Sequence, residues 1–130
     1  MPDGRYRLTI RESFAASHCL RHYQGKCENL HGHNFDVEAA VEGAQLDPKI
    51  EFLMDFKELR TRLKEAIAPL DHAHLNEVPP FDTRNPSSEN IARHIHDRLA
   101  AALPDHVTIA YVSVSEKPGQ TATYWATERT

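Results

Sequence analysis

The sequence has few of the features that mark secreted, membrane-spanning or nucleic-acid-binding proteins. It contains only two cysteines, Cys19 and Cys27, which argues against the disulfide framework of a small secreted domain. No apolar run approaches the ~20 residues that span a bilayer, and residues 1–5 lack the charged-then-apolar layout of a signal peptide. The formal net charge of -4 argues against a nucleic-acid grip built on phosphate contacts. We therefore expect a cytoplasmic protein with neither a membrane nor a nucleic-acid partner.

Histidine, in contrast, is abundant. Nine histidines occur in 130 residues, in a chain whose hydrophobic content of 40% is that of an ordinary globular protein. A chain of this length predicts a single domain over residues 1–130. Several histidines that lie close together in the fold could bind one metal ion.

Two alternating segments place three of the histidines on one face of a predicted sheet. Residues 6–16 alternate between apolar and polar side chains, and His18 continues the apolar parity. The alternation resumes over residues 31–41, where His31 and His33 share the apolar side. If the two strands pair, all three imidazoles converge near one end of the sheet.

Three imidazoles without a fourth protein ligand are typical of a catalytic zinc site, because structural zinc sites are closed by four ligands. The alternative is that His18, His31 and His33 are core residues that share a parity by chance. Burying three imidazoles without partners is costly. The pattern therefore favours a metal site.

A cysteine and an acid–histidine pair are the candidates for proton transfer. Cys27 lies in a polar loop four residues before His31, where a nearby metal or histidine would lower its pKa and favour the thiolate. Asp71 and His72 gain a role if His72 reaches Cys27, since a Cys–His–Asp arrangement can shuttle a proton. Taken alone, the pair is equally typical of a helix C-terminus. His74 competes with His72, and spacing leaves that choice open.

The rest of the pattern predicts an α+β domain. Helical spacing predicts helices over 56–67 and 86–103, and runs rich in β-branched residues predict strands over 107–115 and 121–127. A short apolar run over 50–54 predicts one further strand. The expected fold is an antiparallel sheet with two helices on one face. The remaining histidines considered are expected at the surface: His22, His94, His96 and His106.

These pieces together resemble the 6-pyruvoyltetrahydropterin synthase family, and most closely its bacterial branch, 6-carboxy-5,6,7,8-tetrahydropterin synthase of queuosine biosynthesis. Two motifs carry most of the resemblance: Cys-x3-His-Gly-His at 27–33 and Leu-Asp-His-x-x-Leu-Asn at 70–76. The other matching segments appear in the family's order and extend the resemblance over nearly the whole chain. They are 14–18, 25–26, 54–56, 86–90 and 115–116.

The resemblance implies a T-fold, in which a four-stranded antiparallel sheet carries two helices on one face and trimers stack into a hexameric barrel. It implies that His18, His31 and His33 bind Zn2+. It further implies that the substrate is 7,8-dihydroneopterin triphosphate. The products would be 6-carboxytetrahydropterin, acetaldehyde and triphosphate. Two alternatives stay open: a 6-pyruvoyltetrahydropterin synthase, and a zinc- and pterin-binding module without catalysis.

The resemblance also implies roles for polar residues whose local patterns are unremarkable. Cys27 would be the catalytic base, with His72 and Asp71 completing the triad. Glu116 would anchor the pterin ring through its N3–H and 2-amino group. Three residues at the start of the second helix would line the pterin pocket: Ser87, Ser88 and Glu89.

Two further expectations concern charge and assembly. The triphosphate needs cationic side chains, and the spacing does not rank the candidates. In a closed barrel the active sites lie between subunits, so either Glu116 or the Asp71–His72 pair is expected to serve a metal bound by a different subunit. The cationic candidates are Arg21, His22, Lys26 and Lys117.

Overall fold

The computed structural model describes residues 4–24 and 29–127. Its elements follow the predicted α+β order, with strands at both ends of the chain and two helices between them. A 3-10 turn, Leu75–Glu77, follows the shortest strand. The other elements are β1 (Tyr6–His18), β2 (His31–Gly43), α1 (Phe56–Ile67), β3 (Ala73–His74), α2 (Ser88–Ala101), β4 (Thr108–Lys117) and β5 (Gln120–Tyr124).

The sheet has five strands in the order β3-β1-β2-β4-β5, and it does not close on itself. The four longer strands are antiparallel to their neighbours, whereas β3 runs parallel to β1. The prediction of a purely antiparallel, four-stranded sheet is therefore wrong in this respect. The apolar side of the sheet and the two helices enclose a single core.

The short strand predicted over residues 50–54 is absent, and the short strand of the sheet is β3 instead. The two-residue β3 exists because the His72 amide donates to the carbonyl of Ala15 at 2.6 Å, which lays residues 73–74 against β1. The apolar run 50–54 forms no strand. The Asp47 carboxylate turns the chain there by accepting the amide hydrogens of residues 49 and 50, and Leu53 and Met54 are then buried in the core.

Pairing of β1 with β2 confirms the alternation expected from the sequence. The Cα atom of His18 lies opposite that of His31, and Ala16 lies opposite His33. Further along the same face, the rings of Phe14 and Phe35 stack with their centroids 4.9 Å apart. The three histidines therefore occupy the last positions of a face that is otherwise core.

The first helix spans the predicted residues 56–67, and the Asp55 carboxylate caps it by accepting from the amide of Lys57 at 2.8 Å. The second helix begins two residues later than expected, at Ser88, because the Ser87 hydroxyl accepts from the Asn90 amide and acts as the N-cap. No helix within residues 4–24 and 29–127 is long and apolar enough to cross a membrane.

One of the four histidines expected at the surface lies in the core. His96 is only 4% exposed, and its ring packs edge-on against Tyr124 of β5 with centroids 4.7 Å apart. Its Nδ1 atom lies 2.9 Å from the Asp97 carboxylate. The buried side of α2 is broader than a single stripe because the helix packs on both β4 and β5, so the residue next to Ile95 is covered as well.

Gly43 is expected to tolerate no side chain. A Cβ atom at this buried position would lie 2.6 Å from Cδ1 of Leu53 and 2.7 Å from the carbonyl oxygen of His106. Because the second contact is with backbone, we expect Gly43→Ala to lower the free energy of unfolding by about 1–3 kcal/mol. Urea unfolding followed by circular dichroism measures this. Gly4→Ala is the control, since nothing lies within 4 Å of its Cβ, and equal midpoints for the two variants would contradict the prediction.

Candidate metal centre

Four side chains meet at one end of the sheet, on the side that faces the helices. They come from three adjacent strands: His18 from β1, His31 and His33 from β2, and Glu116 from β4. One nitrogen or oxygen atom from each residue lies within 4.8 Å of the other three. The convergence expected from strand parity is thus present, and it includes a carboxylate that the sequence did not place there.

Two of the imidazoles are oriented by backbone carbonyls. His18 is 2% exposed and donates from Nδ1 to the Pro86 carbonyl at 2.8 Å, and His31 donates from Nδ1 to the Asn29 carbonyl at the same distance. A carbonyl oxygen can only accept, so both rings carry their proton on Nδ1. In the neutral ring each Nε2 atom then presents a lone pair to the cluster, which is the tautomer that binds a metal.

The third imidazole is biased in the same direction. Burial lowers the pKa of His33, and the neighbouring imidazoles lower it further, although the Glu116 carboxylate acts against them. A lowered pKa keeps the ring neutral at pH 7, and a metal-binding imidazole must be neutral. All three rings are thus prepared to bind a cation.

The Glu116 carboxylate lies among the imidazoles. Its Oε2 atom is 3.1 Å from Nε2 of His18, 3.1 Å from Nε2 of His33 and 3.8 Å from Nε2 of His31. With the Nε2 atom of His18 unprotonated, that contact joins two acceptors and is repulsive unless a cation lies between them. Imidazole and carboxylate are ligands that zinc accepts. The residues present therefore fit a zinc ion.

The position of Glu116 also bears on the prediction that it serves a metal bound by a different subunit. Its carboxylate contacts histidines of its own chain, so the expectation that Glu116 serves a metal bound by another subunit is wrong. The same expectation for the Asp71–His72 pair stays a prediction.

Asn76 holds the strand end that carries His18. Its side-chain amide donates to the Cys19 carbonyl and accepts from the Cys19 amide, both at 2.9 Å. Arg21 continues this link by donating to the carbonyls of Phe81 and Arg84. This structural role of Asn76 was not predicted from the sequence, although Asn76 belongs to the Leu-Asp-His-x-x-Leu-Asn motif. Arg21 was one of four unranked candidates for binding the triphosphate, and that role stays a prediction.

The acid–histidine pair is formed, at the edge of the sheet. The Asp71 carboxylate accepts from the Ala15 amide at 3.0 Å and lies 2.9 Å from Nδ1 of His72. The competing residue His74 is directed elsewhere, since its Nδ1 atom lies 3.1 Å from the Ser17 hydroxyl. Only His72 of these two contacts a carboxylate in this way, which favours it as the proton carrier.

An open cavity connects this pair with the metal cluster. It has a volume of about 490 Å³, and its lining includes His33, His72 and His74. The side chain of His72 is 81% exposed and its backbone has φ of 59°, a left-handed conformation that is uncommon for histidine. Cys27, the predicted base, lies outside the described residues.

The predicted pterin-pocket residues lie beside the cluster. The carbonyl that orients His18 belongs to Pro86, immediately before the N-cap of α2. Ser87 and Ser88 are partly exposed, and Glu89 in the first turn of the helix is exposed. The start of α2 therefore lies next to a residue that contacts the metal cluster, and the substrate-lining role of Ser87, Ser88 and Glu89 stays a prediction.

Comparisons with known proteins agree with this geometry. The family described as 6-pyruvoyl tetrahydropterin synthase matches residues 7–127. The dihydroneopterin monophosphate aldolase of Pyrococcus furiosus is 36% identical over 110 residues, covering 85% of this chain and 89% of the relative. The 6-carboxy-5,6,7,8-tetrahydropterin synthase of Synechocystis sp. is 36% identical over 94 residues, covering 69% and 71%.

The fold has a close counterpart among solved structures. The 6-pyruvoyl tetrahydropterin synthase of Caenorhabditis elegans superposes with a TM-score of 0.85, over 98% of this chain and 99% of the other, at 24% sequence identity. At that identity the superposition establishes the fold alone.

Proposed function

The chain belongs to the 6-pyruvoyl tetrahydropterin synthase family, and from that premise we propose that it is a zinc-dependent 6-carboxy-5,6,7,8-tetrahydropterin synthase of queuosine biosynthesis. Its substrate is 7,8-dihydroneopterin triphosphate, which it converts to 6-carboxytetrahydropterin with release of acetaldehyde and triphosphate. A relative of that name spans 69% of the chain.

The observation that carries the proposal is the convergence of His18, His31 and His33. Two of their rings have a tautomer fixed by a backbone carbonyl, so the Nε2 lone pairs point into the cluster. Zinc held there supplies Lewis-acid chemistry, lowering the pKa of hydroxyl groups such as the two on the substrate side chain.

The chain's own residues move the protons. Cys27 takes a proton from the substrate side chain, and His72 returns one. Asp71 supports this role because it holds Nδ1 of His72 at 2.9 Å, which leaves the Nε2 atom of the exposed ring available for transfer. Pairs of this kind contribute about 10²–10⁴-fold to a rate.

Recognition of the pterin falls to the start of α2 and to Glu116. Glu116 accepts from the donor edge of the ring, and its 30% exposed side chain supports that role. The hydrogen bond from His18 to the Pro86 carbonyl supports a role for the residues that follow Pro86. Those residues are Ser87, Ser88 and Glu89.

We further propose a single T-fold domain over residues 1–130 that assembles as a cytoplasmic homohexamer, a dimer of trimers. The open sheet supports assembly. Within the described part of the chain, β3 covers only two residues of β1, and β5 forms the opposite edge. Exposed aromatic residues flank both edges, Tyr6 at 49% and Trp125 at 61%. Exposed strand edges favour pairing with another chain.

Product analysis tests the function. Purified protein is incubated with 7,8-dihydroneopterin triphosphate, with and without a chelator, and the products are identified by mass. We expect 6-carboxytetrahydropterin and acetaldehyde, loss of turnover with the chelator, and recovery on adding zinc. A product with an intact pyruvoyl side chain would instead identify a 6-pyruvoyl tetrahydropterin synthase.

A second candidate function comes from the archaeal relative, whose match covers 85% of this chain. An aldolase of that kind acts on dihydroneopterin monophosphate. The same assay therefore includes dihydroneopterin monophosphate as a parallel substrate. Cleavage of its side chain, with no turnover of the triphosphate, would favour the aldolase over our proposal.

A further inference from the structure

We propose that Glu116 is the fourth metal ligand of the resting protein and that it leaves the metal when a pterin binds. This inference rests on the proposed function, since it concerns the same metal and substrate. The Glu116 carboxylate would then have two alternating partners. It binds the metal when no pterin is present, and it accepts from the donor edge of the pterin when a pterin is bound.

The four donor atoms are spaced as the ligands of one metal ion would be. The Oε2 atom of Glu116 lies 3.1 Å, 3.1 Å and 3.8 Å from the three Nε2 atoms of His18, His33 and His31. Donor atoms placed tetrahedrally about 2.1 Å from a zinc ion are about 3.4 Å apart. The observed distances bracket that value. The carboxylate therefore occupies a corner that completes a four-ligand set.

The hydrogen bonds of the imidazoles also fit a metal. His18 and His31 donate from Nδ1 to the carbonyls of Pro86 and Asn29, so in the neutral rings that a metal binds their Nε2 atoms can only accept. A carboxylate also only accepts. Close approach of Glu116 to these neutral rings is favourable with a metal ion between them, which makes the glutamate a ligand; without the metal, the same approach requires a proton on the imidazole.

The backbone under Glu116 also suits a ligand that moves. Glu116 keeps the parity of the buried Val112 and Val114, so its side chain lies on the face that carries the histidines. The pairing of β4 with β5 changes register between Val114 and Lys117, an irregularity of the kind that is frequent beside active sites. The glutamate side chain is 30% exposed, whereas that of His18 is 2% exposed. Of these two ligands, the glutamate is the one with room to swing away.

The chemistry requires such a movement. Four protein ligands close a zinc site, and closed sites are structural, whereas catalytic sites keep one position open. If Glu116 stayed bound, the proposed reaction would have no access to the metal. When the carboxylate instead accepts from the pterin N3–H and 2-amino group, binding of the correct ring opens the site. Small compounds without that donor edge lack the means to release Glu116.

The test compares metal binding in Glu116→Gln and wild type. Metal-free proteins are titrated with zinc, and cobalt-loaded proteins are examined by visible absorption, which reports on the ligand set. We expect Glu116→Gln to bind zinc at least about 10-fold more weakly and to show an altered cobalt spectrum. Glu65→Gln is the matched control: its carboxylate lies on α1 outside the donor cluster, so both readouts should equal those of wild type.

Neopterin supplies the second half of the test. Added to cobalt-loaded wild type, it should change the spectrum because Glu116 leaves the ligand set, and the same change should be absent in Glu116→Gln. Unchanged zinc affinity and an unchanged cobalt spectrum in Glu116→Gln would overturn the inference. Turnover of dihydroneopterin triphosphate by wild type would still leave the proposed function in place.

A crystal structure of zinc-loaded wild type, solved without a pterin, tests the inference without any variant. A carboxylate oxygen of Glu116 at about 2.0–2.2 Å from zinc supports it. A water molecule in that position, with the carboxylate turned away, overturns it.

Discussion

Replacing His18 with alanine is expected to leave a folded protein that retains no zinc and turns over no pterin substrate. His18 is the most buried residue of the cluster, and its Nε2 lone pair is fixed by the hydrogen bond from Nδ1 to Pro86. Loss of a mere outer-shell partner already costs about 10–100-fold in metal affinity, so loss of a ligand should cost more. Metal analysis after gel filtration and turnover of dihydroneopterin triphosphate measure the two effects.

The matched control is His96→Ala. His96 is buried to nearly the same extent, 4% against 2% exposed, but it packs against Tyr124 on the other side of the core and takes no part in the cluster. Both variants should lose some stability in thermal melts, because each loses a buried ring. Only His18→Ala should lose zinc. Full zinc content in His18→Ala would remove this residue from the ligand set and weaken the whole proposal.

The three histidines could be placed from the sequence because strand geometry is strictly periodic. A period of two fixes which side chains share a face, and once β1 and β2 pair, His18 and His31 are forced opposite one another. The first helix could be predicted from the sequence equally well. Its N-cap, Asp55, acts within two residues of itself, so no distant contact is needed to place the helix start.

Features that depend on contacts between distant parts of the chain could not be predicted from the sequence in this way. The two residues of β3 carry no local strand signal, and they join the sheet through a hydrogen bond between His72 and Ala15, far apart in the chain. Burial of His96 depends on where β5 lies relative to α2. Neither arrangement can be derived from the spacing of residues within one element.

Glu116 shows the same limit at the site itself. Its sequence context, the end of an apolar strand, predicts a solvated side chain. Its actual direction follows the parity of the buried Val112 and Val114, and its meeting with the histidines depends on β4 pairing with β2. The type of chemistry could therefore be inferred from the residues of the motif. The composition of the donor set required the assembled sheet.

Replacing Cys27 with alanine is expected to separate chemistry from metal binding. The proposal makes the Cys27 thiolate the base, and a general base contributes about 10²–10⁴-fold to the rate. Turnover should therefore fall by about that factor. Zinc content should stay at the wild-type value, because the proposal assigns the metal to His18, His31, His33 and Glu116 and gives the thiolate the role of the base. Measuring kcat and bound zinc on the same preparation distinguishes the two effects.

Cys19→Ala provides the control, because it removes the chain's other thiol while leaving the fold at that position intact. Cys19 is held through its backbone, whose amide and carbonyl both pair with the Asn76 side chain. Losing the sulfur should therefore leave both bonds, the zinc content and the turnover unchanged. If Cys27→Ala turned over substrate as fast as Cys19→Ala with zinc still bound, the thiolate would not be the base. The cysteine would then be dispensable, as a binding module without catalysis requires.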